Sequence, residues 1–249
     1  MIKFFKKIRQ NVLSEGKTGK YFKYAIGEIF LVVIGILIAL SINNWSENRK
    51  SDIALNVLIN NLHDEFNMNL QELNNDLARL NKKIGSSESI LSLTGTKVSD
   101  DSEFKIDSLL FYAITNPTWN PSTYILNDIK NSGKLSLIKN SKLKQLLFQW
   151  ERLYEDILEW QNSLTISNQF TINFIKLNGS LINIDHYQKN TVNRSKFNFS
   201  NLNLLQEMHF ENEIEDNQFT ARELAARYKK ADSLLQEIIE LSKTNGTYN

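Results

Sequence analysis

The chain has 249 residues and a formal net charge of +1, from 29 basic and 28 acidic side chains. A balance this close to neutral carries no nucleic-acid signature, and the absence of cysteine excludes disulfides and thiolate chemistry. Two prolines and nine glycines favour long helices joined by few tight turns.

Residues 2–13 (IKFFKKIRQNVL) place Ile2, Phe5, Ile8 and Val12 near one helical face, with Lys3, Lys6, Lys7 and Arg9 around it. That pattern suits a short basic amphipathic helix lying on an anionic inner leaflet, and it equally suits an unstructured basic tail that only sets topology. Residues 14–20, with Gly16 and Gly19, read as a turn leading into the apolar run.

Residues 21–45 (YFKYAIGEIFLVVIGILIALSINNW) read as one membrane-spanning helix. Residues 25–42 carry a single charge, Glu28. A helix rises about 1.5 Å per residue, so some 20 residues cross a hydrocarbon layer of roughly 30 Å. Tyr21, Tyr24 and Trp45 stand where aromatic side chains anchor at membrane interfaces. Lys3, Lys6, Lys7, Arg9, Lys17, Lys20 and Lys23 precede the apolar run against one acid, Glu15. Lys and Arg are retained on the cytoplasmic side, so the N-terminus is expected inside and the rest of the chain outside. A cleaved signal peptide is the rival reading, because Ala39-Leu40-Ser41 has the spacing of a cleavage site. The long segment before the apolar run favours the anchor.

The span also has a face of small residues. Gly27, Leu31, Gly35 and Ala39 recur every fourth position, and Gly35-x-x-x-Ala39 is a small-xxx-small pair that permits close approach of another helix. Glu28 borders this face. It is suited to pairing with a partner helix or a second copy in the membrane, and equally to snorkelling toward the headgroups or pairing with nearby Lys23 or Lys20.

The run EGKTGKYFKYAIGEIFLVVIGILIALSINNW resembles the N-terminal signature of an uncharacterised bacterial family of small single-pass membrane proteins, a domain of unknown function. The segment PSTYILNDIKNSGKLSLIKN (121–140) is similar to the same family. The resemblance implies an envelope protein of Gram-negative bacteria and brings no activity with it.

Beyond the span, Phe66, Leu70, Leu73, Leu77, Leu80 and Ile84 form a heptad-like seam. They predict a helix over 46–84, stopped by Gly85, then a short helical piece over 86–93 and a polar loop over 94–102. Helices are predicted over 103–115 and 121–131, the second capped by Asn120-Pro121 and stopped at Gly133. Ser141 is placed as the cap of a long helix over 141–176, with Leu143, Leu147, Trp150, Tyr154, Ile157 and Leu164 on one stripe. Residues 177–200 read as an irregular distal cap with a short strand at 181–184, and 201–210 as a brief helix. A last helix over 216–243 carries Leu224, Tyr228, Ala231, Leu235 and Ile238.

The expected fold is all-α: a single transmembrane helix, then an antiparallel four-helix-type bundle with long helices and an irregular cap. The chain then has three parts: a cytoplasmic basic segment (1–20), the span (21–45) and an extracytoplasmic bundle (46–249).

Catalytic signals are missing. His63, His186 and His209 lack metal-ligand spacing, and no cofactor or metal motif is present. Ser136-x-x-Lys139 and Ser141-x-x-Lys144 match the pattern of penicillin-recognising enzymes, but Lys17-Thr18-Gly19 is expected across the membrane from them. The aromatic residues Phe111, Tyr112, Trp119, Tyr124, Phe148, Trp150, Tyr154 and Trp160 read as core rather than pocket. The expected function is therefore binding and not catalysis: a membrane-anchored scaffold or accessory subunit partnered by the bilayer and by another membrane protein or a second copy. The alternative is an extracytoplasmic ligand sensor. Twenty residues inside are too few for a folded output domain, so such a sensor would signal through a partner helix.

Overall fold

A computed structural model describes residues 18–98, 103–188 and 193–243. Among these residues every regular element is helical. They are α1 (Thr18–Leu91), α2 (Glu103–Ala113), α3 (Tyr124–Asn131), α4 (Ser141–Asn178), α5 (Leu181–Gln188) and α6 (Met208–Ser242), with 3-10 turns at Lys134–Leu137 and Asn201–Gln206. The chain divides into two compact units, Met1–Asn56 and Val57–Asn249.

The first unit holds the apolar part of α1. Its most apolar window has a mean hydropathy of 2.7, and none of that window is buried. Ile29, Phe30, Leu31, Val32, Leu37 and Leu40 are all exposed. The helix is long and apolar enough to cross a membrane. The basic amphipathic segment 2–13, with Lys3, Lys6, Lys7 and Arg9, lies outside the described residues, as does Lys17.

In the second unit, side-chain contacts give the helix directions. His63 Nδ1 meets the carbonyl of Ile239 at 3.0 Å, while Gln218 Nε2 donates to the Ile84 carbonyl at 3.2 Å, so α6 runs antiparallel to α1. Arg227 meets Asp156 at 3.0 Å and Thr171 Oγ1 donates to the Glu213 carbonyl at 3.3 Å, so α6 is also antiparallel to α4. Lys83 reaches Asn168, and Phe66 meets the Trp150 ring at 5.6 Å, so α1 and α4 run in the same direction. Between them, Lys83 touches Thr115, Asn69 touches Trp119, and Glu65 touches Ile125, so the segment holding α2 and α3 runs back along α1.

Helix α1 passes through Gly85 and ends at Leu91. The predicted stop is therefore wrong, and residues 86–91 of the expected separate piece belong to α1. A glycine inside a helix costs about 1 kcal/mol. Here that cost is offset because the continued turns bury Ile90 in the distal cluster. The buried seam of α1 is also wider than the apolar pattern. Leu62, Phe66, Asn69, Leu73, Leu80, Lys83, Ser87 and Ile90 are buried, whereas Leu70, Leu77 and Ile84 are only half-buried.

Residues 181–184 belong to helix α5 and not to a strand. Their apolar spacing is compatible with both, and packing decides. Ile184 joins Ile90, Ile106, Leu110, Ile175, Leu204 and Phe210 in one buried cluster where α1, α2, α4, α5 and α6 meet. Helix α3 starts at Tyr124, later than the predicted Pro121. Asn140, and not Ser141, caps α4, its side chain accepting from the Leu143 amide. Helix α6 starts at Met208, eight residues earlier than the polar stretch Glu211–Gln218 suggested. That stretch turns polar side chains inward: Asn217 donates to Asn168 Oδ1 at 3.1 Å and Gln218 reaches Ile84.

Candidate functional site

On α1, Asn61, Glu65, Met68 and Glu72 recur at three- and four-residue spacing and so share one face, with Asp64 at its edge. Opposite them runs the non-helical stretch that leads into α3. It is clamped by Asn69, whose Nδ2 donates to the Ser122 carbonyl at 2.8 Å and whose Oδ1 accepts from the Ser122 amide at 2.8 Å. Between the two lies an open groove of about 500 Å³, walled also by Asn120 and Tyr124.

Glu65 is the central group of this groove. It is only 7 % exposed. One carboxyl oxygen, Oε1, accepts from Ser122 Oγ at 2.5 Å and from the Ile125 amide at 3.1 Å. A helix leaves its first amide groups without partners, and a carboxylate there is favoured by the helix dipole. Thr123, the N-cap of α3, makes no side-chain cap bond, so Glu65 supplies the cap from another helix. The other oxygen, Oε2, is buried and accepts no hydrogen bond among the described residues.

Next to the groove in sequence, Trp119 is fully buried. Its indole donates to the Asn69 carbonyl at 3.1 Å, its amide donates to the Tyr228 hydroxyl at 3.1 Å, and its carbonyl accepts from Gln161 Nε2 at 2.8 Å. Trp150 meets it edge-on at 5.5 Å. Burial pushes the Tyr228 hydroxyl up to about 12. Further along the bundle Lys83 is buried. Its ammonium donates to the Ala113 carbonyl, to the Thr115 carbonyl at 3.0 Å and to Asn168 Oδ1 at 3.0 Å. None of these acceptors is a carboxylate, and desolvation lowers the lysine to about 7.

The residues singled out in the sequence fall elsewhere. Gly27 and Gly35 lie on the exposed surface of α1, and a Cβ added at either meets nothing within 4 Å. Ala39 is exposed on the same helix, and Glu28 is half-buried beside Ala25, Ile29 and Val32. Trp45 is exposed, with the Arg49 guanidinium 5.6 Å from its ring. Lys23 is exposed, and Lys20, Tyr21 and Tyr24 belong to the helical stretch. His63 is held by Ile239 and Ser242, and His209 pairs with Glu213 at 3.1 Å. Among the described residues no three His, Cys, Asp or Glu side chains converge on a metal position. The aromatic set divides: Trp119 and Trp150 are core, whereas Tyr124 and Phe148 are exposed.

Glu65, Asn69 and Lys83 were not among the residues picked out by motif. One signal marks two of them. Leu62, Asn69, Lys83 and Ile90 fall at intervals of seven or fourteen, in register with the buried seam. A polar residue at a seam position is unusual enough to flag. Glu65 has no such signal, because its role depends on where α3 begins.

No curated protein and no solved structure matches the chain significantly. The profile of DUF6090, a family of unknown function, matches residues 28–164. The match begins inside the apolar run and takes in the groove, Trp119 and the whole 121–140 segment. It covers more than half of the sequence, so the chain belongs to the DUF6090 family of unknown function.

Proposed function

We propose that this chain is a single-pass, membrane-anchored protein of the bacterial envelope that acts by binding, as a scaffold or accessory subunit of another membrane complex, and not as an enzyme. One observation carries the reading: the most apolar window of α1 has a mean hydropathy of 2.7 and buries none of its surface in the chain. A core helix of a soluble protein would bury it, whereas lipid covers such a surface at a gain of about 25 cal/mol per Å². Residues 21–45 are then the span, with Tyr21, Tyr24 and Trp45 at its interfaces. Residues 1–20 are cytoplasmic and 46–249 form the outer domain, of four-helix type with a broken second leg. The basic residues before the span support this orientation in the inner membrane. Gly27, Gly35 and Ala39 form the face on which a partner helix or a second copy packs, with Glu28 beside it.

The chain lacks cysteine, so single cysteines report topology cleanly. With a membrane-impermeant maleimide on spheroplasts, S163C is labelled at once and S14C only after lysis. The reverse pattern refutes the orientation, and recovery of the chain in the soluble fraction refutes the anchor. A native-detergent pull-down then identifies what accompanies the protein.

A second reading is favoured by the groove around Glu65. An outer domain with a polar cleft between helices fits ligand sensing, with the signal passed to a partner through the small-residue face.

A further inference from the structure

We propose that the groove between α1 and the stretch before α3 binds a small organic cation, an amine or a guanidine, whose N–H groups are accepted by Glu65 Oε2. The inference rests on the binding reading of the outer domain and is independent of the membrane anchor.

Three observations carry it. First, Glu65 is more than nine-tenths buried, lines the groove and has one oxygen with no hydrogen bond, while the other is fully engaged by Ser122 and Ile125. A buried carboxyl oxygen without a donor is costly, and a donor arriving from the groove removes that cost. The helix-capping role accounts for Oε1 and leaves Oε2 unexplained. Second, the charge has one sign. Asp64 and Glu72 line the same groove, and among the described residues no Lys, Arg or His does. An anion is therefore disfavoured, and the field attracts positive charge. Third, the walls suit an organic cation better than a metal ion. Among the described residues no three carboxyl or imidazole groups converge on a metal position here, whereas a divalent ion needs six or more oxygen ligands or several retained waters. Tyr124 and Met68, both largely exposed, add an aromatic ring and a soft apolar side chain to the groove. Aromatic rings attract organic cations through the ring quadrupole. A volume of about 500 Å³ suits a small ligand.

The test uses the full chain in lipid nanodiscs and calorimetric titration at low salt. The probes are agmatine and cadaverine, with 1,5-pentanediol as the neutral isostere and Ca²⁺ as the metal control. The expected result is saturable binding of at least one of the two cations, one per chain, weakened about tenfold or more by E65Q. Gln keeps a carbonyl oxygen for Ser122 and Ile125, so E65Q retains the α3 cap, which circular dichroism checks. Y124L removes the ring without touching Glu65 and is expected to weaken binding several-fold. If E65Q does not fold, Y124L decides in its place. Heats that do not saturate by about 10 mM, equal binding by folded E65Q, equal binding of pentanediol, or tighter binding of Ca²⁺ each overturn the proposal. Failure with correctly inserted protein leaves the anchor standing, whereas failure of insertion shows in the labelling pattern of S163C.

Discussion

Replacing Lys83 by Met probes the core most directly. Lys83 is buried, and desolvation lowers it from 10.5 to about 7. At 1.36 kcal/mol per pH unit of displacement, that fall is worth about 5 kcal/mol. The sign comes from proton uptake. The folded chain holds this proton only below about 7, whereas the unfolded chain holds it up to its ordinary value. Between those limits the unfolded state binds more protons, so stability rises with pH. Below about 7 the full cost of burying the charge is present, and it disappears as pH climbs toward 10.5. K83M has no such group. It leaves the carbonyls of Ala113 and Thr115 without this donor, while Asn168 Oδ1 keeps Asn217 at 3.1 Å. The lost hydrogen bonds cost about 1–3 kcal/mol each at every pH. The wild-type chain should therefore gain on K83M by about 3 kcal/mol between pH 6.5 and 9.5. Urea unfolding of both proteins in detergent, followed by tryptophan fluorescence, measures this, since Trp119 and Trp150 are buried in the same core. Ionisations common to both chains cancel in the difference. A stability difference that moves by less than about 1 kcal/mol across that range refutes the assignment of a desolvated lysine.

Three further outcomes are expected. Tyr228→Phe leaves the Trp119 amide and Gln161 Nε2 without their shared acceptor and should cost about 1–3 kcal/mol in urea unfolding. Because the folded hydroxyl is raised to about 12, the unfolded chain loses this proton first, so wild-type stability falls as pH rises above 10 while Y228F escapes that loss. Gly179→Ala should destabilise by about 1–3 kcal/mol, read as a lowered thermal midpoint. A Cβ there would stand 2.9 Å from Asn201 Oδ1, and Asn201 is tied to Ser180 and Asp107. A normal midpoint would mean that the 3-10 turn at Asn201–Gln206 yields. Gly35→Cys has open space around it in the chain and should, on oxidation in native membranes, form a disulfide with the same residue of a second copy. A monomer alone after oxidation sinks the pairing of two copies through this face.

Composition and periodicity determined a good deal by themselves. Few prolines and glycines, with apolar stripes at helical spacing, were enough for an all-helical chain. The unbroken run after Tyr24 marked a helix able to cross a membrane, because that property depends only on local length and polarity. The stripes Leu143–Leu164 and Leu224–Ile238 were legible for the same reason: each apolar side chain buries itself wherever the partner lies. Tertiary structure decided the rest. Gly85 was passed over because the turns beyond it bury Ile90, and 181–184 became helix because Ile184 fits the distal cluster. Lys83 and Asn69 sit inside because carbonyls and amides far away in sequence complete their hydrogen bonds, and the Asn217 amide nitrogen donates to Asn168 Oδ1 and to the Thr171 hydroxyl. Glu65 is the clearest case. Its burial, its capping of α3 and its other, unpartnered oxygen exist only once α3 is laid against α1, and no spacing within α1 encodes that. Local polarity sets where a segment can live. The partner of a buried polar group is a property of the packed chain, because desolvation is compensated only by a specific group at hydrogen-bonding distance.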